Sequence, residues 1–462
     1  MDTLIRLNGF LERSNRQVYA FVFTALACLG MGVLLGLELW IAVPVALVGI
    51  LFIYSSISQI SLVWILIVTT MAGQISTINI PDQTSLIVPI SVMALIMASR
   101  IFWGEKSRIK SFLDYPVLLL MISALIFSPS AIRHHLTNQL LLILALGVFY
   151  FFIVDIIARS KKLWSTIWFF IITNSIIVMI GIVAIVLNIN IFSLLNPEIN
   201  LFIGADARLM GLVSNPNQLV VLTLFSVSIL IFKYTDYHGL KRFFVLLCIL
   251  LNVIGTAFTQ SRAAMLGFLI GIFLLAFSNL RHRIYQILPI LLIFVLAIFY
   301  IANNAGFDLA QRFTPEYLEE TEQAGAIPRT VLFSTGLKIF MDNPWGHGFG
   351  SMHDLMYQNL GEEISVHNIF LELAIEHGIL GLLASLWLAW LSTGRLWKIL
   401  NRKEVDPETR WLAMGFFTIM VTIWINFLAH AFVAWIPLWI IFGMLAAFVY
   451  QAEQKKSMIH AG

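Results

Sequence analysis

Three short polar clusters stand out from an otherwise apolar chain. The first is Arg208-Leu209-Met210-Gly211-Leu212-Val213-Ser214-Asn215-Pro216-Asn217, the second Thr259-Gln260-Ser261-Arg262, and the third Ser365-Val366-His367-Asn368. Each leads into an apolar run. Ser214 or Asn215 suits a helix N-cap with Pro216 in the first turn, and Ser261 can cap the helix after it. A helix start offers free N–H groups and the positive end of the helix dipole, which favour anions. Arg208 and Arg262 beside such starts add planar guanidiniums that grip phosphate oxygens in pairs. His367 adds an imidazole able to accept a proton near neutral pH. Together these groups could bind an anion next to a general base. The plainer use of the arginines is snorkelling to lipid headgroups, and the plainer use of His367 is capping its helix. Helical geometry continues the His367 face through Leu371, Ala374, Gly378, Gly381 and Ser385, a strip of mostly small residues. It puts Glu372 and Glu376 on another face, as structural partners.

Other candidate motifs carry less chemistry. His134-His135, His347 and His353 lack metal-ligand spacing, so no metal site is expected. Cys28 and Cys248 both lie inside apolar runs and form neither a disulfide framework nor a metal pair. Pro344-Trp345-Gly346-His347-Gly348-Phe349-Gly350 is glycine-rich without being a P-loop, and reads as a tight turn that presents backbone N–H groups.

Elements that could position such clusters must be membrane helices. Of 462 residues, 60% are hydrophobic and only 11% charged, with a net charge of +3. Mean hydropathy is +0.90. A soluble domain carries about 25% charged residues, so a soluble enzyme, a disordered chain and a disulfide scaffold are all excluded. The small net charge gives no reason to expect nucleic acid. A spanning helix needs about 20 apolar residues. Fourteen candidate spans run roughly over 18–36, 39–55, 60–78, 85–103, 114–130, 138–158, 163–187, 216–232, 243–259, 262–279, 284–302, 367–391, 411–428 and 431–450. The first and last pairs are the weakest, so the expected fold is an all-α polytopic bundle of 12 to 14 transmembrane helices. The N-terminal run continues without a cleavage site and is expected to stay as the first span.

Basic residues orient the bundle. With the N-terminus in the cytoplasm, 22 of the 28 Lys and Arg residues fall on the cytoplasmic side and six on the outer side. Both termini are then cytoplasmic. The six outer residues are Arg133, Arg208, Arg262, Arg312, Arg329 and Lys338, each set against the bias. Two outer connections are long, 188–215 and 303–366. The second is acidic, and Arg329–Met341 within it has helical spacing that stops at Asn343-Pro344. It is expected to pack on the bundle as a lid over the site. Span centres hold almost no ionisable residues, which speaks against a transporter or proton relay, the main non-enzyme alternative.

The motifs then resemble those of the O-antigen ligase/polymerase superfamily of bacterial membrane glycosyltransferases. The likeness rests on Arg208 with Gly211 and Asn215-Pro216-Asn217, on Ser261-Arg262-Ala263, on Arg329 followed by Asn343-Pro344-Trp345-Gly346-His347-Gly348, and on His367-Asn368 followed by Gly378. It covers roughly 200–395. The resemblance implies three regions: N-terminal spans over 1–190, a catalytic region over 191–395 that includes the periplasmic loop 303–366, and C-terminal spans with a cytoplasmic tail over 396–462. It implies an inverting, metal-independent transfer of a glycan from undecaprenyl pyrophosphate to an acceptor hydroxyl at the periplasmic face of the inner membrane, with no cofactor. Arg208 and Arg262 would then bind the pyrophosphate, with Arg329, Asn215 and Asn217 as further substrate contacts, and His367 would be the base. The implied partners are the lipid-linked donor, a lipid or glycan acceptor and membrane lipids. A lipid A–core ligase is the first expectation; an O-antigen or exopolysaccharide polymerase and a protein O-oligosaccharyltransferase are the alternatives.

Overall fold

The computed structural model describes residues 59–71, 109–126, 137–186, 208–209, 215–275 and 327–461, apart from 431, 433 and 434. Within them the chain forms twelve α-helices: α1 (Gln59–Met71), α2 (Asp114–Ile126), α3 (Thr137–Ser160), α4 (Leu163–Val186), α5 (Pro216–Lys233), α6 (Gly239–Thr259), α7 (Arg262–Leu275), α8 (Arg329–Asp342), α9 (Ser351–Leu360), α10 (Ile369–Leu400), α11 (Pro407–Phe427) and α12 (Ile436–Ala461). Six of these are long and apolar enough to cross a membrane. The protein is an all-helical polytopic bundle. Ten of the fourteen expected spans coincide with described helices, including both of the last pair. The spans expected at 18–36, 39–55, 85–103 and 284–302 lie outside the described residues.

α11 sits at the centre, packed against α5, α7 and α10. Its apolar side chains Phe416, Ile419, Met420 and Ile423 are fully buried, which a helix surrounded by other helices requires. Small residues let the neighbours close in: an added Cβ at Gly271 of α7 would lie 3.0 Å from the Thr418 carbonyl oxygen of α11. Buried amides tie α4 to α6, and Asn174 Nδ2 also reaches Ser226 Oγ of α5 (3.4 Å). Asn174 Nδ2 donates to Asn252 Oδ1 (2.6 Å), and Asn252 Nδ2 donates to Ser175 Oγ (2.7 Å).

The two ends of the bundle differ in chemistry. One end is stitched by ion pairs and polar contacts, among them Lys233–Glu408, Lys455–Asp406 and Arg395–Glu453, with Gln451 donating to the Ala158 carbonyl. At the other end lie the starts of α5, α7 and α10 and the ends of α6 and α11. These are the positions that bear the sequence's polar clusters.

Residues 327–366 cap this second end. Leu332, Ile339, Met352, Met356 and Val366 form a small apolar core with Leu371 and Ile375 of α10. The expected helix at Arg329–Met341 is α8, and it stops before Asn343-Pro344. α9 was not anticipated. The first half of the expected lid, 303–326, lies outside the described residues; the second half is fastened to α10.

The fastening works through a break in α10. Gly378 has φ 63° and ψ −158°, which splits the helix into 369–377 and 379–400. That backbone region is essentially restricted to glycine. The Pro344–Gly348 turn threads into the break. His347 N–H donates to the Ile375 carbonyl (2.8 Å), Gly348 N–H to the Glu376 carbonyl (3.0 Å), and Ile379 N–H to the Pro344 carbonyl (2.9 Å). The glycine-rich turn therefore does present N–H groups, and carbonyls freed by the break receive them. A Cβ on Gly378 would overlap the Trp345 carbonyl, and one on Gly346 would lie 2.6 Å from the Gly378 nitrogen. Gly378→Ala is expected to destabilise the protein by about 3 kcal/mol or more. Gly394→Ala, in the same helix with nothing within 4 Å of the new Cβ, should be neutral or stabilising by up to about 1 kcal/mol. Thermal unfolding of both variants in detergent checks this; equal midpoints would refute the role given to the break.

Candidate functional site

The site is built from helix termini. α5 begins at Asn215, whose side-chain oxygen accepts the Asn217 N–H (2.8 Å), with Pro216 in the first turn as expected. Asn215 thus spends its oxygen on the cap. Asn217 turns toward Arg208: the guanidinium donates from Nη2 to Asn217 Oδ1 (3.2 Å) and from Nε to the Thr259 carbonyl (2.8 Å). Leu209 N–H adds a bond to the Phe258 carbonyl (2.9 Å). Arg208 and Leu209 are therefore strapped to the end of α6, and the Arg208 plane is set by two bonds to different elements.

The turn from α6 to α7 is as tight as its sequence suggests. Gln260 closes α6 in the left-handed region, φ 53°, and Arg262 opens α7. Ser261 sits where a cap belongs and its carbonyl accepts the Met265 N–H. Its hydroxyl, however, has no hydrogen-bond partner among the described residues, so the expected side-chain cap is not made. Both polar atoms of Gln260, which is buried, are likewise without a partner there.

His367 precedes α10 rather than riding on it. Asn368 is the N-cap and accepts the Leu371 N–H (3.1 Å). His367 has φ 50°, a left-handed conformation that costs a residue with a Cβ about 1–2 kcal/mol. Local bonds hold it there. His367 N–H donates to Ser365 Oγ (3.0 Å), and Ser365 Oγ donates to Glu372 (3.2 Å). Asn368 Nδ2 donates to the Leu428 carbonyl (3.2 Å), joining the start of α10 to the end of α11. The small-residue strip inferred to run down from His367 does not begin at it, because His367 lies outside the helix and Gly378 breaks the strip's phase. Both carboxylates, read from the sequence as structural partners, have local bonds: Glu372 accepts from Ser365, and Glu376 accepts the Gly350 and Met352 N–H groups at the start of α9.

Charge gathers where these termini meet. Arg329, at the exposed start of α8, lies close enough to Arg262 that the two positive charges interact. Burial of the guanidinium first, and then that repulsion, lower the Arg329 pKa from its ordinary value. His367 is half-buried; burial first, then Arg329 and His353, hold its pKa below 6.5. Its imidazole is thus mostly neutral at pH 7. Sequence reasoning missed one member, His430, in the connection after α11. Its ring centroid lies 6.5 Å from that of His367. Burial, then Arg329, His367 and Arg208, push its pKa down to about 3. A histidine in the connection between the last two spans, on the side given to the other clusters, was the only available signal. The structure therefore brings Arg208, Arg262, Arg329, Asn217 and His367 to one end of the bundle and adds His430.

An apolar helix bundle with guanidiniums and imidazoles gathered at one end defines a polytopic membrane protein with a cationic polar cluster at that end. Residues 244–386 match the model of the O-antigen ligase family, Wzy_C, in line with the resemblance read from the sequence. The match supports a membrane glycosyltransferase of the ligase or polymerase type that uses lipid-linked glycans. The matched stretch includes Arg262, Arg329, Gly346, His367 and Gly378. Comparison with curated proteins gives no match.

Proposed function

We propose that the protein transfers a glycan from undecaprenyl pyrophosphate to an acceptor hydroxyl, with inversion at the anomeric carbon and without a metal. The observation that carries this reading is the gathering of Arg208, Arg262 and Arg329 at the same end of a membrane bundle as a half-buried, neutral His367, with Arg329 acting directly on it. In the step proposed, the acceptor oxygen attacks the anomeric carbon from the face opposite the pyrophosphate. The carbon–oxygen bond to phosphate breaks, and its electron pair leaves with the pyrophosphate. The acceptor proton passes to His367. The guanidiniums stabilise charge as it develops on the leaving group, where fixed donors are worth most. Arg208 and Arg262 are its principal ligands, Arg329 a third, and Asn217 sets the Arg208 plane. The donor's polyprenyl tail stays in the bilayer while its sugars lie outside, so the site is placed at the periplasmic face of the inner membrane with both termini cytoplasmic.

Lipid A–core is the acceptor favoured here. The test is purified protein in detergent or proteoliposomes with lipid-linked donor of defined anomeric configuration. Transfer to lipid A–core with inverted linkage, unaffected by EDTA, is the expected result. Transfer only onto a second lipid-linked glycan would make the protein a polymerase, and transfer onto protein an oligosaccharyltransferase. Retention of configuration or loss of activity with EDTA would overturn the mechanism. Movement of intact donor across the membrane, without transfer, would make the protein a transporter.

A further inference from the structure

His430 lies in the connection between α11 and α12, and nothing above gives it work to do. Its position is fixed from two sides. Leu428 and Ala429 donate their N–H groups to the carbonyls of Ile425 and Asn426, ending α11. The Leu428 carbonyl in turn accepts from the α10 N-cap, Asn368 (3.2 Å). The hydrogen bond that joins the two helices thus lies one residue from His367 and two from His430. The rings face each other at 6.5 Å between centroids and 70° between planes. That gap is too wide for a direct N–H···N bond. An oxygen about 2.8 Å from one nitrogen of each ring spans roughly this distance.

The charged and titratable groups that face His430 are Arg208, Arg329 and His367. All three already belong to the proposed donor and acceptor site. Burial first, and then that field, keep the His430 imidazole neutral near pH 7, so it carries one N–H donor and one acceptor nitrogen.

We propose that His430 binds the acceptor hydroxyl together with His367, one imidazole on each side of the reacting oxygen. This rests on the glycosyl-transfer reading above. In the step, one lone pair of the acceptor oxygen forms the bond to the anomeric carbon as the carbon–phosphate oxygen bond breaks. The hydroxyl proton goes to His367. His430 donates its N–H to the oxygen's other lone pair and aims the first at the anomeric carbon. It gains and loses no proton.

The experiment compares His430→Ala, His430→Phe and His430→Gln in the full-length protein. Phenylalanine fills the space without a donor, whereas the glutamine amide can donate one hydrogen bond. The Ala and Phe variants should lower kcat/KM for the acceptor by roughly tenfold or more, the effect of one lost hydrogen bond at the reacting oxygen. Gln should recover most of it. Donor binding should be unchanged in all three, and the acid limb of the pH–rate profile should persist, because His367 is the base. A Phe variant with wild-type kcat/KM for the acceptor would overturn the proposal. So would a Gln variant as poor as Phe, which marks a packing role, or an acid limb that vanishes in the Gln variant, which would make His430 the base. If the wild-type protein transfers no glycan at all, the glycosyl-transfer reading fails first and this assignment falls with it.

Discussion

Alanine at Arg208 or at Arg262 is expected to lower glycan transfer by about 10³-fold, near the upper end of what one well-placed donor contributes at a developing negative charge. Donor binding should weaken in the same variants, because in the proposed reaction the guanidiniums hold the pyrophosphate before it leaves as well as while it leaves. Arg208 makes the sharper test. Its bonds to Asn217 Oδ1 and the Thr259 carbonyl fix the guanidinium plane. Lysine has no planar fork and cannot keep both bonds while pointing a matched donor pair at phosphate, so Arg208→Lys should rescue poorly. Asn217→Ala leaves the charge and removes one constraint, and should give a smaller loss. Transfer and donor binding on purified lipid-linked donor, with unfolding midpoints as the control for folding, check the set. Near-normal transfer by either alanine variant would remove that arginine from the phosphate site.

The apolar runs placed most helices because each span in a bilayer must satisfy its own backbone, which leaves little freedom between sequence and element. Pro216 behind Asn215 marked the start of α5 for the same local reason, and Asn343-Pro344 marked the end of α8. The clusters at Arg208, Arg262 and His367 were legible because polar residues at span ends are scarce in such a chain. Counting spans then put them at one end, and the helices that carry them do begin or finish together there. The contact between Arg208 and Asn217, nine residues on, follows from the same cap that the Asn-Pro pair announces.

What escaped the sequence was long-range and backbone-borne. Gly378 looked like one small residue in a strip, yet its value lies in a φ/ψ pair that no side chain reports. The break it makes has meaning only with the Pro344–Gly348 turn, about thirty residues earlier, whose His347 and Gly348 N–H groups and Pro344 carbonyl fill it. A helix-period reading runs straight through such a break, and so it carried the face of His367 too far. His430 escaped for another reason. It stands in a connection of a few residues with no motif around it, and only the Asn368–Leu428 bond brings it opposite His367. Hydrogen bonds between a side chain and a distant carbonyl leave no periodic trace.

His367→Ala is expected to lower transfer by about 10²–10⁴-fold, the range of a lost general base, with donor binding close to wild type because the arginines carry it. The pH dependence adds a sign that a merely structural histidine would not give. Burial, Arg329 and His353 hold the His367 pKa below 6.5. The active form is the neutral imidazole, so the rate should fall as pH drops through the folded pKa, and the acid limb should lie below pH 6.5. At pH 7 the base is already deprotonated, and raising the pH further should gain little. Arg329→Gln removes one of the charges that disfavour the imidazolium. The acid limb should then move up toward the ordinary histidine value, whatever Arg329→Gln also does to the maximal rate. Because a limb position is independent of rate, this shift separates an electrostatic neighbour of the base from a simple ligand. A wild-type limb above pH 6.5, or no movement in Arg329→Gln, would contradict the placement of Arg329 beside the base. Turnover by His367→Ala within a few-fold of wild type would remove the base itself, and loss of donor binding as severe as in the arginine variants would make His367 a ligand. Glu363 and Glu372 would then be the next residues to test, and Glu363, exposed on the same connection, could reach the site without giving up a buried partner as Glu372 would with Ser365.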